Sequence, residues 1–186
     1  MHSIKELKNI KGKTILVRVD FNVPMKGNSV EDNFRIKKAL PTINFLIKKG
    51  AKIILITHLG KGEESLKPVA KVLNKYINVR FIPEGIGAKV TKAVSEMKIG
   101  DVILLENLRM NKGEQKPDES FAKSLAKLAD IYVNEAFPVS HRGDASIVLV
   151  PKLLPHEAGF QLTDEVKNLS MAFNKPKTQF LFILGG

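Results

Sequence analysis

The sequence predicts a three-layer α/β/α domain on a mainly parallel, Rossmann-like doubly wound sheet of about six strands. Short β-branched and aliphatic runs, apolar on both faces, recur along the chain, as in strands buried on both sides. Helical segments bounded by glycine, proline and capping residues separate them, so strand and helix alternate. The length of 186 residues suits one domain with a full core.

Thr14 to Asp20 reads as the first buried strand. Phe34 to Lys49 reads as a helix interrupted or kinked at Pro41 and ended by Gly50. Lys52 to Thr57 is the second strand. Ser65 is placed as the N-cap of a helix reaching about Tyr76, with Val69, Val72 and Leu73 on its apolar face. Val79 to Ile82 is the third strand, Gly87 to Met97 a helix, and Val102 to Leu105 the fourth strand. A helix runs from Pro117-Asp118-Glu119 through Leu128, and Ile131 to Val133 is the fifth strand. Ser146 to Val150 is read as the sixth. Thr163 to Phe173 is a helix, Lys175-Pro176-Lys177 a turn, and Gln179 to Leu184 a very apolar strand before Gly185-Gly186.

Apolar residues make up 44% and charged residues 26%, a soluble globular composition. The absence of cysteine excludes a disulfide framework and a thiolate metal site, and fits a reducing, cytoplasmic setting. The first eight residues lack the apolar stretch of a signal peptide. The longest apolar runs, such as Ile53 to Ile56, are too short to span a bilayer, so no membrane partner is expected.

Thirty Lys and Arg against nineteen Asp and Glu give a net charge of +11, which favours an anionic partner. Nucleic acid, an anionic membrane surface and a phosphorylated metabolite are the three choices. Most lysines are scattered on presumed helices as a solvated surface. The five arginines, Arg18, Arg35, Arg80, Arg109 and Arg142, fall mostly near the ends of apolar segments. A planar guanidinium is preferred where phosphate or carboxylate must be gripped. Aromatics are only 6%, with no recognition motif interleaved among basic residues, which argues against nucleic acid. No Gly-x-Gly-x-x-Gly follows the first strand, which excludes a dinucleotide fingerprint. Gly12-Lys13-Thr14 lacks the upstream glycine of a phosphate loop and precedes a strand.

In parallel α/β sheets ligands bind beyond the carboxyl ends of the strands. The residues there are Asp20-Phe21-Asn22, Thr57-His58-Leu59-Gly60-Lys61, Glu106-Asn107-Leu108-Arg109 and Asn134-Glu135-Ala136-Phe137. Each set holds polar groups suited to a small anion. Singly, they also have plainer readings. Asp20 reads first as a turn cap, and Arg109 and Arg142 could form surface ion pairs. Arg18 lies inside a strand as a structural residue. Glu135 resembles half of an acid/base pair without a partner carboxylate.

Taken together, these segments resemble the phosphoglycerate kinase family. The residues carrying the resemblance are Arg18-Val19-Asp20-Phe21-Asn22-Val23-Pro24, Asp32-Asn33-Phe34-Arg35-Ile36 with Ala39-Leu40-Pro41-Thr42-Ile43, and His58-Leu59-Gly60. Ser65-Leu66-Lys67-Pro68-Val69-Ala70, Leu104-Leu105-Glu106-Asn107-Leu108-Arg109, Val133-Asn134-Glu135-Ala136-Phe137 and His141-Arg142 follow in order. The resemblance implies an N-terminal lobe that binds 3-phosphoglycerate or 1,3-bisphosphoglycerate. A second lobe would bind ADP or ATP with magnesium for reversible phosphoryl transfer. Asp20, Phe21 and Asn22 would hold the hydroxyl and carboxyl end of the substrate. Arg35 would be catalytic, steadying charge during transfer. His58, Leu59, Gly60, Lys61, Arg109 and Arg142 would form the 3-phosphate site.

The same resemblance divides the chain into a substrate lobe at 1–162, an interlobe helix and linker at 163–175, and the first strand of a missing nucleotide lobe at 176–186. On that division the chain holds no cofactor or metal itself. It binds substrate without turnover and takes a separate nucleotide lobe as partner. A free-standing phosphometabolite-binding module is the alternative. Several positions depart from the family's pattern. Lys61 stands where arginine is usual, Glu135 where aspartate is, Pro138 where glycine is, and Met110 where an aromatic residue is.

Overall fold

The structure, a computed structural model, describes residues 2–173. The expected turn at 175–177 and strand at 179–184 lie outside the described residues. Six parallel strands form the central sheet: β1 (Thr14–Arg18), β4 (Lys52–Ile56), β5 (Arg80–Ile82), β6 (Val102–Leu105), β7 (Ile131–Asn134) and β8 (His156–Ala158). A hairpin of β2 (Met25–Lys26) and β3 (Ser29–Val30) stands apart. The strand order is β5-β6-β4-β1-β7-β8.

Alternating side chains divide the core into two layers, because successive strand residues point to opposite faces. Ile15, Val17, Ile53, Leu55 and Val133 pack against α1 (Phe34–Lys48) and α2 (Lys67–Leu73). Leu16, Ile54, Ile56, Ile103, Leu105 and Tyr132 face the other side. They meet α3 (Ala88–Ser95), α5 (Glu119–Ala126), α6 (Ala145–Val148) and α7 (Val150–Leu153). The short α4 (Lys112–Gln115) precedes α5, and α8 (Phe160–Phe173) follows β8. Helices on both faces of a parallel sheet are the expected architecture.

The chain leaves β1 through α1 toward β4, and reaches β7 from β6 through α4 and α5. It therefore winds in opposite directions on the two sides of the β1/β7 boundary. Such a switch point opens a crevice at the carboxyl ends of the strands.

Three elements differ from expectation. Residues 146–150 form no strand but parts of α6 and α7. The Ser146 N–H donates to the Glu114 carboxylate at 3.0 Å, and its carbonyl accepts from the Tyr132 hydroxyl at 2.8 Å. Neither group is left for a ladder, and Pro151 opens α7. The sixth strand is β8, which continues from Pro155 along β7. Helix α1 runs unbroken through Pro41, which removes one helical donor. Burial of Ile36, Ala39, Thr42, Ile43 and Leu46 holds it. Helix α8 begins at Phe160, three residues before Thr163, whose hydroxyl donates back to the Gly159 carbonyl at 3.0 Å.

The N-terminal residues close one edge. Ser3 bridges Ala158 of β8, and the Ala158 N–H donates to the His2 carbonyl at 3.0 Å. A capping box between Ser3 and Glu6 locks the 3-10 turn Ile4–Glu6 beside it, burying Ile4.

Candidate anion-binding site

The loops after β1, β4, β6 and β7 meet at the switch point. Asp20 is buried and pairs with Arg35, which projects from the first turn of α1. The same carboxylate accepts from the Asn22 N–H at 3.3 Å, so Asp20 is a turn cap and an ion-pair partner at once. The Phe21 N–H donates to the Thr57 hydroxyl at 3.0 Å, and the Phe21 ring is fully buried. Asn22 Oδ1 accepts from the Gly60 N–H at 2.9 Å, tying the first loop to the second.

The second loop is clamped by Asn107. Its side chain accepts from the Leu59 N–H at 3.2 Å and donates to the Leu59 and Glu64 carbonyls at 2.7 and 2.8 Å. Gly60 and Gly62 lie in the left-handed region, at φ of 54° and 113°. A Cβ on Gly62 would come within 2.7 Å of the Arg109 carbonyl oxygen, so only glycine allows the two loops to close together.

His58 is fully buried. Arg18, also fully buried at the end of β1, donates from Nη2 to His58 Nδ1 at 2.9 Å. A guanidinium only donates, so Nδ1 is the acceptor and the ring proton sits on Nε2. Burial, then the charges of Arg18, Arg109, Arg142 and Arg35, push the imidazole down to about 3. His58 is therefore neutral near pH 7, with a buried Nε2–H that has no partner.

Arg109 reaches across from the turn after β6. Its Nη1 donates to the Gly60 carbonyl at 2.7 Å, while its buried Nε and Nη2 lack partners. Buried donors are normally paired, so these three N–H groups mark a place for acceptor oxygens. Arg142 is exposed at the rim, and its charge reaches His58. Lys61 is exposed and has no ion-pair partner among the described residues. Of the expected residues, Asp20, Asn22, His58, Leu59, Gly60, Lys61 and Arg109 lie just after the strands, Arg35 comes from the first turn of α1, Arg142 from the segment before α6, and the Phe21 ring is turned into the core.

Several residues that support the site are not among the expected site residues. Arg18 Nε donates to Ser146 Oγ at 2.9 Å, and Ser146 Oγ donates to Glu114 at 2.6 Å. Glu114 also lies 3.9 Å from Arg18. This chain from α4 through α6 to β1 holds the guanidinium that orients His58. Asp144, at the N-cap of α6, lies beside Arg109.

Glu135 serves a different purpose from the one its spacing suggests. It is fully buried and accepts from the Gln161 N–H at 3.2 Å, at the start of α8. Burial pushes its carboxyl up to about 7, against the Thr42 hydroxyl and backbone bonds that lower it. It anchors a helix. A groove of about 910 Å³ lies outside the crevice, between the β2–β3 hairpin and α2, and includes Met25, Pro68 and Phe81 in its lining. Among the described residues no cluster of His, Asp and Glu could hold a metal ion, and no helix is long and apolar enough to cross a membrane.

The fold and its switch point define the class of doubly wound α/β domains, and the unpaired arginine and histidine donors there have the chemistry to receive a small anion. Comparison with known proteins narrows that class. The phosphoglycerate kinase family model matches residues 4–186, and the chain belongs to that family. It is 47% identical to phosphoglycerate kinase of Dictyoglomus turgidum, over 96% of this chain and 47% of the relative. It is 48% identical to that of Thermosipho africanus, over 96% and 46%. The crystal structure of phosphoglycerate kinase from Pyrococcus horikoshii superimposes with a TM-score of 0.89 at 32% identity, covering 96% of this chain and 47% of that one. The chain spans about half the length of the curated relatives it matches.

Proposed function

We propose that this chain is the substrate-binding lobe of a phosphoglycerate kinase and that its crevice binds 3-phosphoglycerate or 1,3-bisphosphoglycerate. The observation that carries the reading is the set of buried, partnerless donors on His58 and Arg109, directed by a network that gives them no other acceptor. His58, Arg109, Arg142 and Lys61, with the Leu59-Gly60 backbone, grip the 3-phosphate. Asp20, Asn22 and Phe21 form the hydroxyl and carboxyl end. Arg35, half-exposed beside Asp20, faces the acyl phosphate and steadies charge during transfer. Phosphoryl transfer depends on position and charge stabilisation more than on covalent help, which suits a site built from guanidinium groups.

On this reading residues 1–162 form the substrate lobe, 163–175 lead away from it, and 176–186, outside the described residues, belong to the nucleotide lobe. That lobe supplies the Mg-ADP or Mg-ATP site, in the same chain or from a partner, and the protein works in cytoplasmic glycolysis. Calorimetric titration with 3-phosphoglycerate tests the assignment. Binding is expected in the native chain and lost in Arg35→Ala and Arg142→Ala, with no binding of Mg-ATP. Equal 3-phosphoglycerate affinity in all three proteins would move the substrate elsewhere.

A further inference from the structure

The cradle contains one group that an anion site has no evident use for. Asp144 Oδ2 is buried, has no hydrogen-bond partner, and lies 3.7 Å from Arg109 Nη2. That distance is too long for a hydrogen bond. Both side chains are more than nine-tenths buried, at 7% and 8% exposed. Asp144 occupies the N-cap position of α6, yet its side chain makes no capping bond. Only its backbone carbonyl serves the helix, accepting from Ile147 and Val148. An aspartate at an N-cap ordinarily uses its carboxylate there. This carboxylate is turned to Arg109 instead.

Of the unsatisfied buried groups among the described residues, one, Glu157 Oε2, belongs to β8; the cradle holds three donors, His58 Nε2–H and the Arg109 Nε–H and Nη2–H, and one acceptor, Asp144 Oδ2. A fully deprotonated tetrahedral anion offers acceptors only. It would satisfy the donors and press an anionic oxygen against the carboxylate. A phosphate that keeps one proton satisfies all four, with its P–O–H donating to Asp144 and its other oxygens accepting from His58 and Arg109.

We propose that Asp144 is a specificity determinant of the anion site, accepting a hydrogen bond from a protonated phosphate oxygen so that the hydrogen-bearing monoanion is taken and proton-free tetrahedral anions are rejected. This rests on the reading of the crevice as a phosphate site. The physical logic is that of any site built to pair a ligand hydroxyl, which leaves a buried group unsatisfied when the analogue lacks it. A phosphate ester loses its second proton near pH 6, so the form selected is present close to neutrality. Sulfate carries no proton there.

Charged and titratable groups near Asp144 include Arg109 from the turn after β6, His141 and Arg142 just before it in the chain, and Glu114 from α4, whose carboxyl Asp144 helps to raise, with Arg18 behind Glu114. His58, down at about 3, does not titrate in the relevant range. Glu135, at about 7, does, so sulfate binding followed against pH serves to report changes of the protein alone.

The test is calorimetry of the full chain with 3-phosphoglycerate, inorganic phosphate and sulfate, from about pH 5.5 to about pH 8.5, on either side of the ester's second pKa. The native chain should prefer phosphate to sulfate by roughly tenfold or more. After correction for the sulfate profile, its 3-phosphoglycerate affinity should fall about tenfold per pH unit above about pH 6. Asp144→Asn should bind sulfate roughly tenfold tighter and lose the corrected pH slope. Asp144→Ser keeps a capping side chain without the charge and should behave alike, which guards against a local folding fault in either variant. If the phosphate preference or the pH slope survives in both variants, Asp144 has no such role although the phosphate site stands. If the native chain binds none of the three anions, the phosphate reading fails and takes this inference with it.

Discussion

Glu114 and Glu135 are both fully buried, and both carboxyls are pushed up by burial, yet they do opposite work. Glu114 faces a cation. Arg18 lies 3.9 Å away, and Ser146 donates twice, from its backbone N–H and its hydroxyl. Glu135 faces none. Its donors are the backbone at the start of α8 and the Thr42 hydroxyl, and nearby Asp164 pushes it further up. One glutamate is part of a charge network aimed at the anion site, and the other is a titratable clasp on a helix. Burial alone does not set a carboxyl's role; the partner does.

The largest expected effect breaks the first network. Glu114→Gln leaves Arg18 buried without a counter-charge and puts an NH2 donor where one of the two carboxylate oxygens accepts from Ser146. Urea unfolding should show a loss of about 3–5 kcal/mol. A loss below about 1 kcal/mol, the range of an exposed pair, would erase the distinction between the two glutamates.

The next effect belongs to Glu135 and is read against pH. His58, pushed down from 6.5 to about 3, adds stability as pH rises through that range; Glu135 opposes it, because its folded state holds a proton that the unfolded chain has released, and its own contribution falls as pH rises from the ordinary value of 4.5 to about 7. Above that it is level. The full span corresponds to about 3 kcal/mol. Glu135→Gln should remove this contribution, so that the stability of the variant relative to the native chain rises by about 3 kcal/mol across that window, leaving the opposing slope of His58 and the falling one of Glu114, whose carboxyl is also raised. An unchanged slope would show that Glu135 is not the titrating clasp.

The smallest effect sharpens the comparison. Thr42→Val removes a hydroxyl that serves Glu135 and also accepts from the Phe160 N–H at 3.0 Å. Stability should drop by about 1 kcal/mol. The Glu135 midpoint, followed by carboxyl NMR, should rise further, because a bond that favours the charged form is gone. A lower midpoint would reverse the role given to Thr42.

Legibility followed sequence distance. The strands were legible because each apolar run, such as Ile53 to Ile56, is local, and Asp20, His58 and Arg109 were legible because each follows such a run within a few residues. Strand β8 was not, since His156-Glu157-Ala158 is short, half polar and at an edge. Residues 146–150 misled because Val, Ile and Leu suit a buried helix as well as a strand. The support for His58 was invisible for another reason. Arg18 and Ser146 are 128 positions apart, and no periodicity links them. Asp144 carries no signal in the sequence, and only its unpaired oxygen in space sets it apart.

The two rims of the sheet are unequal. Arg80 stands exposed on the β5 rim, paired with Glu96, and a charged side chain discourages another strand from adding there. On the β8 rim the protection is the chain's own beginning, because Ser3 and His2 already occupy the groups of Ala158 that a neighbour would seek. Those few residues act as a stopper against polymerisation: replacing them with a segment unable to pair would uncover a template on which one sheet could extend into the next.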